Sequence, residues 1–382
     1  MKLFILAGEA SGDKLGAALM SGLKTLSPDV QFSGIGGPGM IAAGLQSQFD
    51  MSELSIMGLV EVLPKYFHLK RRIRETADAV IAQNPAALIT VDSPDFSLRV
   101  AKLVKEARPD LRCIHYVAPT VWAWRPHRAK KMAQWIDHVL ALFPFEPPYM
   151  EAAGMRCDFV GHPVVSEPQA TRDDATTFRA RHNIAADTPL VLTLPGSRNG
   201  EVTRLSPVFG DSLIRFAETH PNMRVVIPTV AHLHARVQEL VAEWPGQPIL
   251  LDPADALSKR AAFAAADIAL AASGTVSLEL AASKTPMVIA YNLTWLSRQI
   301  VKRRLLIDTA TLVSLVTDTR TIPEFIFEYC RSELIAPALV ATLAQPDAQF
   351  AAMADAITAL GQGGEAPGLR SARAVLDGIA NG

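Results

Sequence analysis

The stretch LFILAGEASGDKLGAALM, Leu3 to Met20, changes its periodicity half-way along. Leu3 to Ala7 is a continuous apolar run of strand length, whereas Leu15, Ala18, Leu19 and Leu23 recur every three or four residues, as one face of a helix does. Between the two lie Gly8, Glu9, Ala10, Ser11, Gly12 and Asp13, which are small, flexible and acidic. In an open α/β sheet, ligands sit in the crevice beyond the carboxyl ends of the strands, so this turn is a candidate binding loop.

The same grammar continues outward from that stretch. Strand-like runs LFILAG, VQFSGIGG, AALITVD, RCIHYVAP, HVLALFPF and CDFVGHP alternate with helical segments, followed by LVLTLPGS, MRVVIPTV, PILLD, DIALAAS and PMVIAYN. This βαβα pattern calls for mostly parallel sheets covered on both faces. The polar stretch from Val164 to Pro189 interrupts it, and GQGGEAPG near Gly361 is a flexible loop before a last helix. The expected division is therefore 1–165, 166–354 and a C-terminal helical segment 355–382.

Composition narrows the class. At 382 residues, with 49% hydrophobic and 20% charged, the chain is a folded protein of two domains rather than a disordered one. Cys113, Cys157 and Cys330 lie far apart without a CxxC pair, which argues against both a disulfide scaffold and a thiolate metal site and fits a reducing compartment. The apolar start is shorter than a signal peptide core and no run of about 18 apolar residues occurs, so a cytoplasmic protein without a membrane span is expected. A net charge of -1 gives no bulk attraction to nucleic acid. Basic residues are nonetheless clustered at Lys70–Arg74, Arg125–Lys131 and Lys302–Arg304, each either a solvated helix face or a contact surface.

Several motifs mislead. Gly34 to Gly39 satisfies GxGxxG, but it follows the second strand instead of the first, and Pro38 removes a backbone donor from the loop. The opening loop lacks the P-loop spacing, no G-x-S-x-G elbow occurs, and His232 and His234 have no nearby carboxylate ligands.

Other constellations carry chemistry. Gly196-Ser197-Arg198 follows an apolar run, with Glu201 three positions later. Free backbone N–H groups beside a guanidinium suit a diphosphate, the alternative being an ordinary turn with a surface arginine. Ser273-Gly274-Thr275 opens a helix whose N-terminus carries roughly half a positive charge. Glu279 lies about one turn in, where a carboxylate can accept both hydroxyls of a ribose diol. Together these residues describe a nucleoside diphosphate site.

In the first half, Asp92 and Asp95 follow the run AALITV and face the same crevice as Glu9. They read either as general bases or as helix caps. Trp122 and Trp124 either fill a seam between domains, stack on a sugar or line an acyl channel. From Ile56 to Arg74, Leu59, Val60, Leu63, Tyr66, Phe67 and Leu69 are interleaved with Lys65, Lys70, Arg71, Arg72 and Arg74. That composition suits a helix lying in a membrane interface, the alternative being a core helix with a basic solvent face. Trp295 to Leu306, WLSRQIVKRRLL, poses the same choice.

GEASGD at Gly8, GGPGM at Gly36, MGLVEVL at Met57, DSPDF at Asp92, PTVWAWR at Pro119, PFE at Pro144, GHP at Gly161, LPGSR at Leu194 and ASGT at Ala272 occur in the order seen in lipid A disaccharide synthases. The chain resembles that family over almost its whole length. The resemblance implies a GT-B glycosyltransferase, an α/β protein of two Rossmann-like doubly wound parallel-sheet domains facing a central cleft. Residues 1–165 would take the acceptor and the membrane interface, 166–354 the UDP-sugar donor, and 355–382 would pack back on the first domain.

The resemblance also implies the reaction. UDP-2,3-diacylglucosamine gives its sugar to the 6-hydroxyl of 2,3-diacylglucosamine 1-phosphate in one inverting displacement, with neither metal nor other cofactor. On this reading Asp92 is the general base, and Glu9 and Asp95 position it or bind the acceptor. Gly8, Ser11, Gly12, Asp13, Trp122 and Trp124 serve the acceptor side, while Gly196, Ser197, Arg198, Glu201, Ser273, Gly274, Thr275 and Glu279 hold UDP. Leu59, Leu63, Phe67, Leu69, Arg71 and Arg72 meet lipids at the inner-membrane surface, making the protein cytoplasmic and peripherally attached, with a homodimer left open. Ser97, Asn292 and Ser314 depart from the family pattern, which commonly has Asn, a basic residue and Asn there. The rival readings are another GT-B enzyme using UDP-GlcNAc, such as a peptidoglycan glycosyltransferase or a 2-epimerase, and a non-catalytic nucleotide-sugar or lipid-binding protein.

Overall fold

A computed structural model describes residues 1–54 and 59–381, with the backbone alone at 59–65, 296 and 300. The first sheet contains β1 (Lys2–Ala7), β2 (Gln31–Ile35), β3 (Gln46–Ser47), β4 (Ala87–Val91), β5 (Arg112–Tyr116), β6 (His138–Ala141) and β7 (Arg156–Phe159), in the order β3-β2-β1-β4-β5-β6-β7. The second contains β8 (Leu190–Leu194), β9 (Arg224–Ile227), β10 (Ile249–Leu250), β11 (Ile268–Ala271), β12 (Met287–Tyr291) and β13 (Glu324–Ile326), in the order β10-β9-β8-β11-β12-β13. All the pairings are parallel. Leu3–Ala7, β4 and β8 are buried along their whole length, as strands covered on both faces must be.

Each sheet winds outward from its middle. The chain passes from β1 to β2 and β3, then returns to the other side of β1 at β4 and runs on to β7. From β8 it does the same, returning at β11. Each sheet therefore has one reversal, where the two central strands lead on in opposite directions across the sheet, and it is at the carboxyl ends of such strands that α/β proteins bind ligands.

The compact units are Met1–Ser166 with Gly363–Gly382, and Glu167–Gln362. The division expected after residue 354 falls inside the helix Asp347–Ala359. Gln349 of that helix bonds the main chain of Met287 in both directions, accepting from N–H at 2.8 Å and donating to the carbonyl at 3.0 Å. This pairing holds the helix in the second unit, and the return comes instead at Gln362–Gly363.

The last helix, Pro367–Ala380, packs against the helix Ala10–Leu26 within the first unit. A Cβ on Gly22 would lie 2.5 Å from the Gly368 carbonyl oxygen, and one on Gly368 only 2.7 Å from that of Ala18, so only hydrogen fits at either place. Ser371 donates to the Tyr116 hydroxyl at 2.9 Å, and Arg370 to the Phe159 carbonyl at 3.0 Å. Overpacking such a contact typically costs about 1–3 kcal/mol. Gly22→Val is expected to lower stability by about that amount and to open the loop before the last helix to limited proteolysis. An unchanged melting midpoint and digestion pattern would count against this close approach.

Candidate active site

At the reversal of the first sheet, the loops after β1 and β4 touch. A Cβ on Gly8 would stand 2.7 Å from Ser93 Oγ, and one on Gly12 would stand 3.2 Å from the Val91 carbonyl oxygen. Asp92 follows β4, and its N–H donates to the Tyr116 carbonyl at 2.9 Å. Asp92 and Ser93 both take left-handed backbone angles, with φ of +53° and +45°. Such conformations cost roughly 1–3 kcal/mol each for residues with a side chain. The turn is braced by Ser97, whose Oγ donates to the Asp92 carbonyl at 2.7 Å, and by the N–H groups of Phe96 and Ser97 on the Ser93 carbonyl. One of the family departures thus supports the Asp92 turn directly. Burial pushes the Asp92 carboxyl above its ordinary range, opposed by a hydrogen bond from the Ser93 N–H. Glu9 is partly buried at the start of the helix Ala10–Leu26, while Ser11 and Asp95 are exposed.

Asp13 has a different duty from the expected acceptor contact. Its buried carboxylate accepts from the N–H groups of Gly37, Gly39 and Met40 at 2.8, 2.8 and 2.9 Å. It therefore fills, with a protein carboxylate, the set of amides in GGPGM that a phosphate would otherwise need.

Trp122 is likewise buried rather than offered to a sugar. Its Nε1 donates to Glu146 Oε1 at 3.2 Å, and its ring meets Phe145 edge-on at 5.1 Å. Phe145 stacks on Phe143 at 5.4 Å, and Phe143 packs against His162. PTVWAWR, PFE and GHP, which follow β5, β6 and β7, thus form one aromatic cluster inside the first unit. Trp124 is partly buried, with the Arg125 guanidinium 4.0 Å above its ring. Glu146 was given no role from sequence, although a lone acid in ALFPFEPP is the signal. Its Oε2 accepts from the N–H groups of Leu142 and Phe143 at 3.1 and 3.0 Å. Burial nevertheless pushes its carboxyl up to about 7, and burial holds His162 neutral at about 4.

The basic apolar segment forms the helix Leu59–Gln83, and the side chains of Leu59 and Leu63 lie outside the described residues. Phe67 is 81% exposed, beside exposed Tyr66, Lys70, Arg71 and Arg74, while Leu69 is partly buried. Arg72 is turned inward, contrary to its expected place at the interface. Its guanidinium forks onto Glu53 at 2.8 and 2.9 Å, covers the Phe49 ring at 4.3 Å and holds the Glu53 carboxyl below its usual range. No helix among the described residues is long and apolar enough to cross a membrane.

The second unit has a pocket at the other reversal, between the ends of β8 and β11. Gly196, Ser197, Glu201, Ser273, Gly274, Thr275 and Glu279 all line it. Gly196 and Gly274 take φ of +123° and +152°, and a Cβ on Gly274 would face open space, which leaves its backbone accessible. Arg198 is 70% exposed at the turn. Glu201 is less a ligand contact than a clamp. It accepts from the Ser197 N–H at 3.2 Å, the Arg198 guanidinium at 2.9 Å and the Tyr291 hydroxyl at 3.1 Å. Burial, with the Glu201 charge second, raises the Tyr291 phenol, keeping it a proton donor.

Glu279 pairs with Lys259 at 2.6 Å, and that lysine, which sequence reasoning missed, also lines the pocket. Ser273 Oγ donates to the Ala310 carbonyl at 2.7 Å, so its hydroxyl fastens a loop. Of the other departures, Asn292 uses its side chain locally, accepting from the Leu293 N–H at 2.9 Å, and its carbonyl accepts from Arg204 at 3.3 Å. Ser314 is fully buried, and its hydroxyl has no hydrogen-bond partner among the described residues.

A family model described as lipid-A-disaccharide synthetase matches residues 3–366. The chain is 63% identical to the lipid-A-disaccharide synthase of Ruegeria pomeroyi, covering 99% of this chain and 95% of that protein. It belongs to the lipid-A-disaccharide synthase family. The Rhodospirillum centenum member is 45% identical over 99% of this chain and 94% of its own length. Membership makes the chain a glycosyltransferase and disposes of the reading as a 2-epimerase or a peptidoglycan enzyme. Solved structures of GT-B fold agree in architecture. The UDP-GlcNAc 2-epimerase of Neisseria meningitidis superposes with a TM-score of 0.66 at 12% identity, covering 100% of both chains. Acinetobacter baumannii MurG gives 0.56 at 14%, covering 100% of this chain and 99% of its own. At those identities the likeness concerns the fold alone. The fold class expected from sequence, two doubly wound parallel-sheet domains of GT-B type, is the one observed.

The cluster around Glu146 makes a pH prediction of definite sign. Folded, Glu146 keeps its proton up to about 7, against an ordinary 4.5. Its contribution to stability is complete below the ordinary value and is lost as pH rises through the raised one. Glu146→Gln is expected to flatten the fall in melting midpoint between about pH 5 and 7. A slope identical to wild type would mean that this carboxyl titrates normally.

Proposed function

We propose that the protein transfers 2,3-diacylglucosamine from UDP-2,3-diacylglucosamine to the 6-hydroxyl of 2,3-diacylglucosamine 1-phosphate, giving the β-1,6-linked lipid A disaccharide 1-phosphate and UDP. Asp92 carries the reading: a strained, partly buried carboxyl of raised pKa at the reversal of the first sheet, in a chain of this family. Its carboxylate takes the proton of the 6-hydroxyl as O6 bonds to the donor C1 from the face opposite UDP. The bond from C1 to the diphosphate oxygen breaks, and its electron pair leaves with UDP. One displacement converts the α donor into a β product.

Glu9 and Asp95 orient Asp92 or the acceptor, and Gly8, Ser11 and Gly12 shape the loop beside it. On the donor side, Gly196, Ser197 and Arg198 meet the diphosphate, Gly274 and Thr275 present backbone N–H groups, and Glu279 takes the ribose diol. Glu201 and Tyr291 hold Arg198 ready. Removing one such stabiliser of developing charge typically costs about 2.7–4 kcal/mol, or 100- to 1000-fold in rate. Phe67, with Lys70, Arg71 and Arg74 around it, meets the anionic inner-membrane surface from the cytoplasmic side, where diacylated substrates reside.

Mass spectrometry of a detergent reaction with EDTA, run on both acylated substrates beside plain UDP-GlcNAc, tests the reading. A tetraacyl disaccharide 1-phosphate from the acylated donor alone is expected. Product from UDP-GlcNAc would overturn the substrate assignment, and UDP binding without turnover would favour the binding-protein alternative.

Asp92→Asn is expected to keep UDP affinity and to cut turnover at least about 100-fold. Because burial raises the Asp92 pKa, wild-type turnover should climb as pH rises through that raised value, and the variant should lose that limb. Unchanged turnover would remove Asp92 as the base.

A further inference from the structure

The helix Trp295–Lys302, in the second unit, opens on an exposed apolar ring and runs into a basic tail. Trp295 is 66% exposed, Leu305 39% and Leu306 61%. Residues 295–306 include Arg298, Lys302, Arg303 and Arg304 and no carboxylate. Lys302 pairs with Glu328, whose chain neighbour Tyr329 is also exposed. Arg303 and Arg304 make no ion pair among the described residues, and the Arg298 charge acts on the same Glu328. Water solvates the cations well but gains nothing from the indole and the leucines. A headgroup boundary satisfies both, because Trp favours that depth and the phosphates meet the cations.

We propose that this segment docks on an anionic lipid bilayer, giving the second unit a membrane contact of its own, separate from the one on Leu59–Gln83. The charge pattern selects this occupant over a second copy of the chain. A two-fold pairing through this face would bring the same cations against one another. The inference concerns lipid binding without substrates and does not depend on which sugar is transferred.

The test is flotation of the full chain with phosphatidylethanolamine–phosphatidylglycerol vesicles, with phosphatidylcholine vesicles as the neutral comparison. The triple variant Trp295→Ser, Leu305→Ser, Leu306→Ser is expected to bind anionic vesicles roughly tenfold more weakly. Its melting midpoint and its turnover in detergent should match wild type, so that loss of lipid binding is separable from failure of the proposed reaction. Arg303→Glu with Arg304→Glu should erase the preference for anionic over neutral vesicles. A second readout does not depend on the triple variant folding: anionic vesicles should shift wild-type tryptophan emission to the blue, and Trp295→Phe should lose the shift. Equal flotation of wild type and triple variant, or a full blue shift in Trp295→Phe, would overturn the proposal. So would a dimer in vesicle-free sedimentation that the triple variant abolishes, which would assign the face to a second copy.

Discussion

A parallel sheet wound outward from its middle must reverse direction once, and both units are organised by that necessity. Beside the reversal, β1 and β4 lead on to strands on opposite sides of the sheet, and so do β8 and β11. Backbone groups beyond the strand ends are left to turns, to neighbouring side chains and to ligands. The two crevices share this geometry and differ in electrostatics. Glu9, Asp92 and Asp95 lie on the loops at the first, and Arg198 with the glycine turns lies at the second. The proposed roles of base and of anion site rest on that difference.

Loops at such positions need bracing, and much of the nearby polar chemistry supplies it. Ser97 holds the Asp92 turn, and Glu201 gathers Ser197, Arg198 and Tyr291 around the Gly196 turn. Glu324 accepts from the N–H groups of Ala310 and Thr311 and from the Thr309 hydroxyl, while the Ala310 carbonyl receives Ser273. A single network thus links β13 to the loop after β11. These contacts fix the direction of the few groups that remain for a ligand, which is what preorganisation requires.

The strands were legible because long apolar runs have few ways to be buried. β3 and β13 escaped because QS and EFI belong to no continuous apolar run, whereas the equally short β10 lies within PILLD. Side-chain direction was the harder problem. Asp13 looks like a ligand contact in GEASGD, but its amide partners begin 24 residues further on, at Gly37. Trp122 and Glu146 are also 24 apart, and Arg72 reaches back 19 residues to Glu53. Polar letters near a site therefore identify a neighbourhood without saying which of them face inward. The boundary expected after residue 354 failed for the same reason: an alanine-rich helix carries no mark of its unit until Gln349 pairs with Met287.

At Asp92 the local geometry favours one of the two readings over the other. Among residues with a side chain, Asn and Asp take left-handed positions most readily, and a serine there is more strained. Here an aspartate and a serine occupy them, and burial adds a desolvation penalty to the carboxylate of the first. Helix capping does not account for that arrangement, since the side chain at the cap position, Ser93, makes no capping hydrogen bond. Backbone strain and desolvation meet at one residue, with neighbours arranged to sustain them, and the proposed role of Asp92 as the base rests on that coincidence.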